Sequence, residues 1–497
     1  MVTIARNEVL GLRNLLRRLG LLGRSSTRQQ PVDLLTGRDG LTIRCQNHRV
    51  ALEYHQPGSL PDSRIVLPAE ALDDLSGRDE GQITLETLPD KKVTARWSAS
   101  GIPQTRSYDE VTNRAPAVFP ELPTQFAENR AGTLKALDDA CQTCADESIR
   151  FALTNLQLRG NQGQIVATDG RHAFRQSGFS FPWESDLLVP RTRVFSSKEL
   201  DATSPVRIGY AQNWAVFNVA PWTIWLAIDT EGRFPRTEDL WPMQERATSR
   251  VELADEDARF LAERIGCLPG DQEVNFPVTL DLNGEVIVRG KSIEQPRPTD
   301  LVLNRSYYKG PPRRVNTSRL FVAKALQLGF RQFLFFGEAS PLLAVDGQRE
   351  YLWMPLAAED AAAPSADALR ILSSEVGYRG NGSRRRGRLA QHQGPINRMK
   401  NHHGTPTNGN GHTSGHANGN GQAVHAGETN ATAHEANGET ADTNRPVLEQ
   451  AQALRGVLRD ALTKTNELVA SIKRHKRQSR LVESTLASLR QLQSIDS

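Results

Sequence analysis

Apolar positions along this chain follow two periods. Residues 8–19, 132–144 and 255–265 repeat large aliphatic side chains every three or four positions, which predicts three amphipathic helices. The first sets Leu10, Leu12, Leu15, Leu16 and Leu19 among arginines. An Arg-rich amphipathic start is also the composition of a transit peptide, but Glu8 and the domain-like pattern that follows at once favour an ordinary first helix. Most other apolar runs are short, as strands are. From residue 208 to residue 228 no side chain is charged, yet Gln212, Asn213, Asn218 and Pro221 interrupt the run. Trp214, Val216, Val219, Ile224 and Leu226 there suit two short strands better than a membrane span.

One strand pattern returns. Arg64-Ile65-Val66-Leu67-Pro68 reappears as Asp186-Leu187-Leu188-Val189-Pro190 and as Asp300-Leu301-Val302-Leu303-Asn304, at steps of 122 and 114 residues. Each copy ends in Pro or Asn, is followed by a short helical or turn segment (69–75, 196–200, 306 onward), and is preceded by one of the three helices. Three copies of one helix-and-strand domain, an α+β body, is the economical organisation: residues 1–124, 125–246 and 247–357.

Beyond residue 357 the pattern changes. Residues 376–427 hold seven basic side chains and no acid, centred on Arg384-Arg385-Arg386-Gly387-Arg388, and a Gly/Asn/His/Thr tract follows. So little apolar surface cannot offset ordering entropy, so residues 358–445 are expected to be a disordered linker with a reach of roughly 50 Å. Six of the eleven histidines fall in this tract at irregular spacing, which suits a solvated linker better than a metal site. Stepping four and three from Val447 through Leu454, Leu458, Leu468, Ile472, Val482, Leu486 and Leu489 traces a heptad seam across 446–497, weakened by Lys473-Arg474-His475-Lys476-Arg477. It predicts a coiled-coil strand, a helical hairpin or a single amphipathic helix, any of which could bind a further partner.

Charge sharpens this division. The whole chain is formally +4, but residues 376–497 carry 17 basic and 9 acidic groups, leaving a body of −4. A body of that sign binds nucleic acid only if its cations are focused on one surface. Four cysteines (Cys45, Cys141, Cys144 and Cys267) are too few for a disulfide framework, and a reducing cytoplasmic location with no membrane partner is expected. Cys141-Gln142-Thr143-Cys144 lies near the end of a predicted helix and lacks a second pair, which favours packing over redox or zinc chemistry. No phosphate loop, HExxH or GxSxG occurs, so catalytic, cofactor and metal residues are all assigned as none, and an enzyme is the minor alternative.

The most informative local sequence is Gln164-Ile165-Val166-Ala167-Thr168-Asp169-Gly170-Arg171-His172, a strand entering a polar turn. Gly232-Arg233-Phe234-Pro235 follows with Pro242 beyond it, and Glu350-Tyr351-Leu352-Trp353-Met354-Pro355-Leu356 closes the body. In this order and spacing the motifs resemble those of the bacterial sliding clamp, the DNA polymerase III beta subunit family, over roughly residues 1–357.

The resemblance implies a head-to-tail homodimer ring around double-stranded DNA, with helices lining the hole and sheets outside. It acts as a processivity factor, in which diffuse cations touch phosphates without base readout. Cations on the implied pore helices are Arg13, Arg17, Arg18 and Arg24, with Lys198, Arg319 and Lys324. The family also implies a cleft between the second and third domains that receives linear peptides from polymerase III subunits and the clamp loader. Carried over by motif, its wall is Thr168, Gly170, Arg171, His172, Ala173, Pro235, Asp239, Leu240, Leu352, Trp353, Met354, Pro355 and Leu356. Here the usual G-H-R-L turn reads Gly170-Arg171-His172-Ala173, Asp239 replaces a common arginine, and Trp353 is bulkier than usual. The extension leaves beside this cleft and could cover it. The alternative function is a divergent clamp relative serving as a scaffold or regulator that is never loaded on DNA.

Overall fold

A computed structural model describes residues 1–23, 30–88, 92–111, 118–148, 152–270, 275–337 and 339–375. All lie in the first of two compact units, Met1–Arg386. The basic segment, the His-containing tract, the terminal helix and Arg24 lie outside the described residues.

The first repeat runs β1 (Val2–Ala5), α1 (Arg6–Arg18), β2 (Pro31–Gly37), β3 (Gly40–Gln46), β4 (Val50–Pro57), β5 (Ser63–Pro68), α2 (Ala71–Leu75), β6 (Gln82–Thr87), β7 (Lys92–Ala99) and β8 (Ile102–Asp109). The second runs β9 (Phe126–Asn129), α3 (Thr133–Thr143), β10 (Asn155–Arg159), β11 (Gln164–Thr168), β12 (His172–Ser177), β13 (Asp186–Pro190), a 3-10 turn at Val194–Ser196, β14 (Val206–Ala211), β15 (Trp214–Val219) and β16 (Trp222–Ala227). The third runs β17 (Ser249–Glu252), α4 (Asp255–Arg264), β18 (Pro277–Asn283), β19 (Glu285–Gly290), β20 (Thr299–Val302), β21 (Tyr307–Lys309), β22 (Arg313–Ser318), α5 (Arg319–Gln327), β23 (Gln332–Phe335), β24 (Leu342–Asp346) and β25 (Arg349–Trp353). The expected helices fall at α1, α3 and α4. The uncharged run 208–228 supplies two short strands, β15 and β16, and most of β14.

Helix α1 shows how pattern becomes packing. Val9, Leu12, Leu15 and Leu16 are buried on one face, each stabilising the fold by roughly 1.5 to 3 kcal/mol. Glu8 closes the N-terminus by accepting the Ala5 N–H at 3.1 Å and the Tyr54 hydroxyl at 2.8 Å.

The first two repeats each contribute four strands to each of two sheets, the third contributes five to one and four to the other, and two of the sheets run through the repeat boundaries. One eight-stranded sheet has the order β5-β2-β3-β4-β16-β15-β14-β9, joined where β4 pairs antiparallel with β16. A second reads β13-β10-β11-β12-β25-β24-β23-β17-β21, joined where β12 pairs antiparallel with β25. The two remaining sheets are β1-β6-β7-β8 and β22-β18-β19-β20, the latter with one added strand.

This topology corrects the third copy of the sequence repeat. Strands β5 and β13 each pair with the first strand of their hairpin, and the strand in that position in the third repeat is β22, which leads into α5 as β5 leads into α2. Asp300-Leu301-Val302 lies instead in β20, the counterpart of β4 and β12. A short aliphatic run looks alike in either strand, whereas Arg313-Arg314-Val315-Asn316-Thr317-Ser318 carries too little apolar character to display the repeat.

The added strand is β26 (Leu369–Leu372), from the segment expected to begin a disordered linker. Residues 356–362 first strap the polar face of the last sheet. Leu356 N–H donates to Asn316 O at 2.8 Å, and Ala362 N–H to Thr279 Oγ1 at 2.8 Å. Beneath the strap Arg289, 2% exposed, binds Asp300 at 2.8 and 3.0 Å and Asp281 at 2.5 Å, and reaches Ala362 O at 3.3 Å. Charges buried this deeply persist because every side of the guanidinium is paired. Beyond a short loop, β26 lies parallel to β20.

Candidate DNA-facing surface and peptide cleft

Helical segments of successive repeats form one row. Arg13 and Arg17 of α1 pair with Asp73 of α2 at 2.5 and 3.0 Å. Asn14 of α1 binds Glu199, and Arg18 binds Arg193 O and Ser196 Oγ, each at 3.0 Å, on the turn after β13. Lys324 of α5 donates to Gln142 of α3 at 3.0 Å, and α5 packs on α4.

The expected cations divide within this row. Arg13 and Arg17 share one carboxylate, while Arg18 has no ion pair among the described residues. Lys198 is exposed, in the turn after Val194–Ser196 and not on a helix. Lys324 is half-buried, and desolvation lowers its pKa, partly opposed by Asp139 and Asp138. Arg319 is a correction: it is 5% exposed and directs its guanidinium to the carbonyls of Leu268, Pro269, Phe276 and Pro277. Desolvation lowers its pKa, and it ties α5 to the segment after α4 instead of facing a phosphate. Sequence reasoning also missed Arg49, Arg191 and Arg193, which join Arg18 around a recess of about 640 Å³ at the end of α1, with Asp138 as its only acid. Arg49 and Arg193 have no ion pair among the described residues. Their shared surface comes from the turn before β4 and the loop after β13 meeting across a repeat boundary, for which the sequence carries no local signal.

The three cleft motifs converge on the β12–β25 join. Thr168 Oγ1 donates to His172 O at 2.6 Å and accepts the Gly170 N–H at 2.9 Å. Gly170 has φ +88°, a conformation that favours glycine. Asp169 caps the turn by accepting the N–H groups of Arg171 and His172 at 2.8 and 3.0 Å, and its other oxygen lies 3.3 Å from His172 Nε2. Burial alone would raise the Asp169 pKa, but the His172 contact and these backbone donors hold it below the ordinary carboxylate value.

Register then separates the wall residues. His172 pairs with Trp353 and Ala173 with Leu352, so the two pairs point to opposite faces. On the outer face, Ala173 and Leu352 are buried; Leu352 packs with Leu334, Phe336, Leu343, Val345 and Trp241. The segment carrying Pro235, Asp239 and Leu240 crosses this face, fixed by Arg159 to Thr237 at 2.8 Å and Gln244 to Glu350 at 3.1 Å. Leu240 and Met354 remain 46% and 52% exposed, Asp239 is exposed, and Pro235, Pro355 and Leu356 are partly exposed.

Two expected wall residues face inward. Trp353 is fully buried, donating Nε1–H to Thr317 Oγ1 at 2.9 Å, so its bulk fills the core and not the cleft. The His172 ring lies between Phe321 and Tyr351, with centroids at 5.0 and 5.3 Å. Arg171 stays exposed over Phe321 and reaches Asn275 Oδ1 at 2.7 Å, linking the turn to the third repeat. Trp241, with Arg175 at 4.4 Å from its ring centre, is a further candidate wall residue that the motifs did not include. Leu240-Trp241-Pro242, an apolar trio just after acidic residues, was its signal. Cys141 and Cys144 are buried thiols whose pKa values burial raises, Cys141 to about 12, as expected of packing residues.

Solved structures of the same architecture are bacterial sliding clamps. The DNA polymerase III subunit beta of Pseudomonas aeruginosa is 19% identical, with a TM-score of 0.59 over 71% of this chain and 99% of that one. The beta chain from Streptococcus pneumoniae TIGR4 is 16% identical, with a TM-score of 0.58 over 71% and 99%. Subunit beta from Borrelia burgdorferi, solved in complex with a natural product, is 11% identical, with a TM-score of 0.59 over 72% and 99%. No family model and no curated protein matches the chain. No helix among the described residues is long and apolar enough to cross a membrane. With nearly the full length of each solved clamp matched at such low identity, the chain has the fold of a bacterial sliding clamp, in a divergent sequence.

Proposed function

We propose that this chain is a DNA-encircling platform: copies join end to end around duplex DNA, and the β12–β25 cleft tethers polymerase III subunits, the clamp loader and other partners through linear peptides. The observation that carries the reading is the repeated join. The edge strand β4 meets the closing strand β16, and β12 meets β25 in the same way, leaving β20 and β8 as the corresponding edges for a join between copies. Such head-to-tail joining makes a ring when the rotation closes. The row of helices, with its arginine-lined recess, would then meet phosphates diffusely, which holds the ring on DNA without fixing its position. No catalytic step is needed.

Mixed with a bacterial clamp loader and ATP, the full chain is expected to remain on nicked circular duplex and to be lost after the circle is linearised. Equal loss from both DNAs overturns encirclement. A second reading, a scaffold that binds peptides but is never loaded, is favoured by one observation: β26 covers the β20 edge. That scaffold would bind clamp-motif peptide normally and ignore circular DNA.

A further inference from the structure

The repeated join gives β26 a specific meaning. At both internal junctions the edge of the first sheet receives the last strand of the next repeat, antiparallel and over five residue pairs. The same position on β20 is filled by β26, parallel and over four pairs. Strand β8, whose counterparts are β16 and β25, has no partner on its outer edge among the described residues, and Ile102 at its start is 63% exposed. We infer that β26 is a detachable cap on β20, standing in for β8 of a second copy, so that assembly requires the cap to leave. This rests on the proposed function only in taking a second copy as the occupant.

The extension is built in two parts that suit such a device. The strap at 356–362 is fixed over the Arg289 cluster and anchors the segment. The cap itself is short and exposes Leu369 and Arg370. It is held by the four-pair ladder with β20, by Leu369 N–H to Pro298 O and Ser373 N–H to Val302 O, by Ile371 against the core, and by Asn304 with Ser373 and Ser374 and Arg370 with Glu285, each at 2.7 Å. Parallel pairing is slightly weaker per residue than the antiparallel pairing β8 would make. The loop at 363–368 separates the two parts, so the cap can leave while the strap stays. Being tethered, the cap competes at high effective concentration and lowers the fraction of molecules able to join.

The test is dimerisation of the full chain, followed by sedimentation across a concentration series. The variant L369P/S373P removes two donors from the β26–β20 ladder and is expected to dimerise roughly tenfold or more tightly than the unaltered chain. Unchanged or weaker dimerisation of a variant with an unaltered thermal melt overturns the inference. Hydrogen exchange on the unaltered chain tests the same point without relying on the variant's folding. As the dimer forms, amides 369–373 should lose protection while amides 102–109 gain it. Persistent protection at 369–373 in the dimer overturns the cap. A variant that dimerises tightly yet leaves circular DNA sinks encirclement and keeps the cap, whereas retention on DNA with no effect of the variant does the reverse.

Discussion

Asp169 does more at the cleft than its place in a polar turn suggests. It holds two backbone donors and faces His172, which anchors the turn between Phe321 and Tyr351. Because its folded pKa lies below the unfolded value near 4, the ionised carboxylate stabilises the fold. That contribution is complete above about pH 4 and is lost as pH falls through the lowered folded value. Asp169→Asn is expected to cost about 1 kcal/mol in urea melts at pH 7, with the gap from the unaltered protein closing in acid. A gap that stays constant down to the lowest pH at which both fold would refute the assignment. The turn was legible because Thr168, Asp169 and Gly170 act through their own backbone. Arg319 was not, because an arginine at the start of an amphipathic helix reads the same whether it meets solvent or buried carbonyls.

Strand parity decides what the cleft offers a ligand. The motif after β25 was carried over as a contiguous run, but alternate residues of a strand cannot share a face. Leu352 forms the floor, Trp353 belongs to the core, and Met354 continues the outer side at the rim. Met354→Asp is expected to weaken binding of a clamp-motif peptide at least roughly tenfold, measured by fluorescence anisotropy, because it places a charge where an aliphatic anchor would be desolvated. Equal affinity would remove Met354 from the site. Helices α1, α3 and α4 were legible from periodicity to within about two residues, whereas of the strands only some, such as β5, β11, β13, β15, β16 and β25, stood out. β20 and β22 were confused because strand identity there depends on pairing across the sheet, which a single sequence does not record.

Across the whole body, acidic in sum, the arginines at the end of α1 and after β13 concentrate positive charge on the row of helices. Arg193→Glu combined with Lys198→Glu is expected to weaken DNA association and flatten its dependence on log salt by about two, since two phosphate contacts are lost. An unchanged salt slope would place DNA elsewhere. Two copies of the returning pattern, β5 and β13, fall on equivalent strands and the third does not, while the arginine recess left no local signal because its members meet only across a repeat boundary. The strap has one more effect. It carries the chain from beside Met354 across the last sheet, so that residues 369–372 reach the β20 border of the third repeat. If copies join at that border as proposed, one stretch of chain links the cleft to the seam between subunits, so a ligand at Met354 and a neighbour at β20 would each feel the other through it.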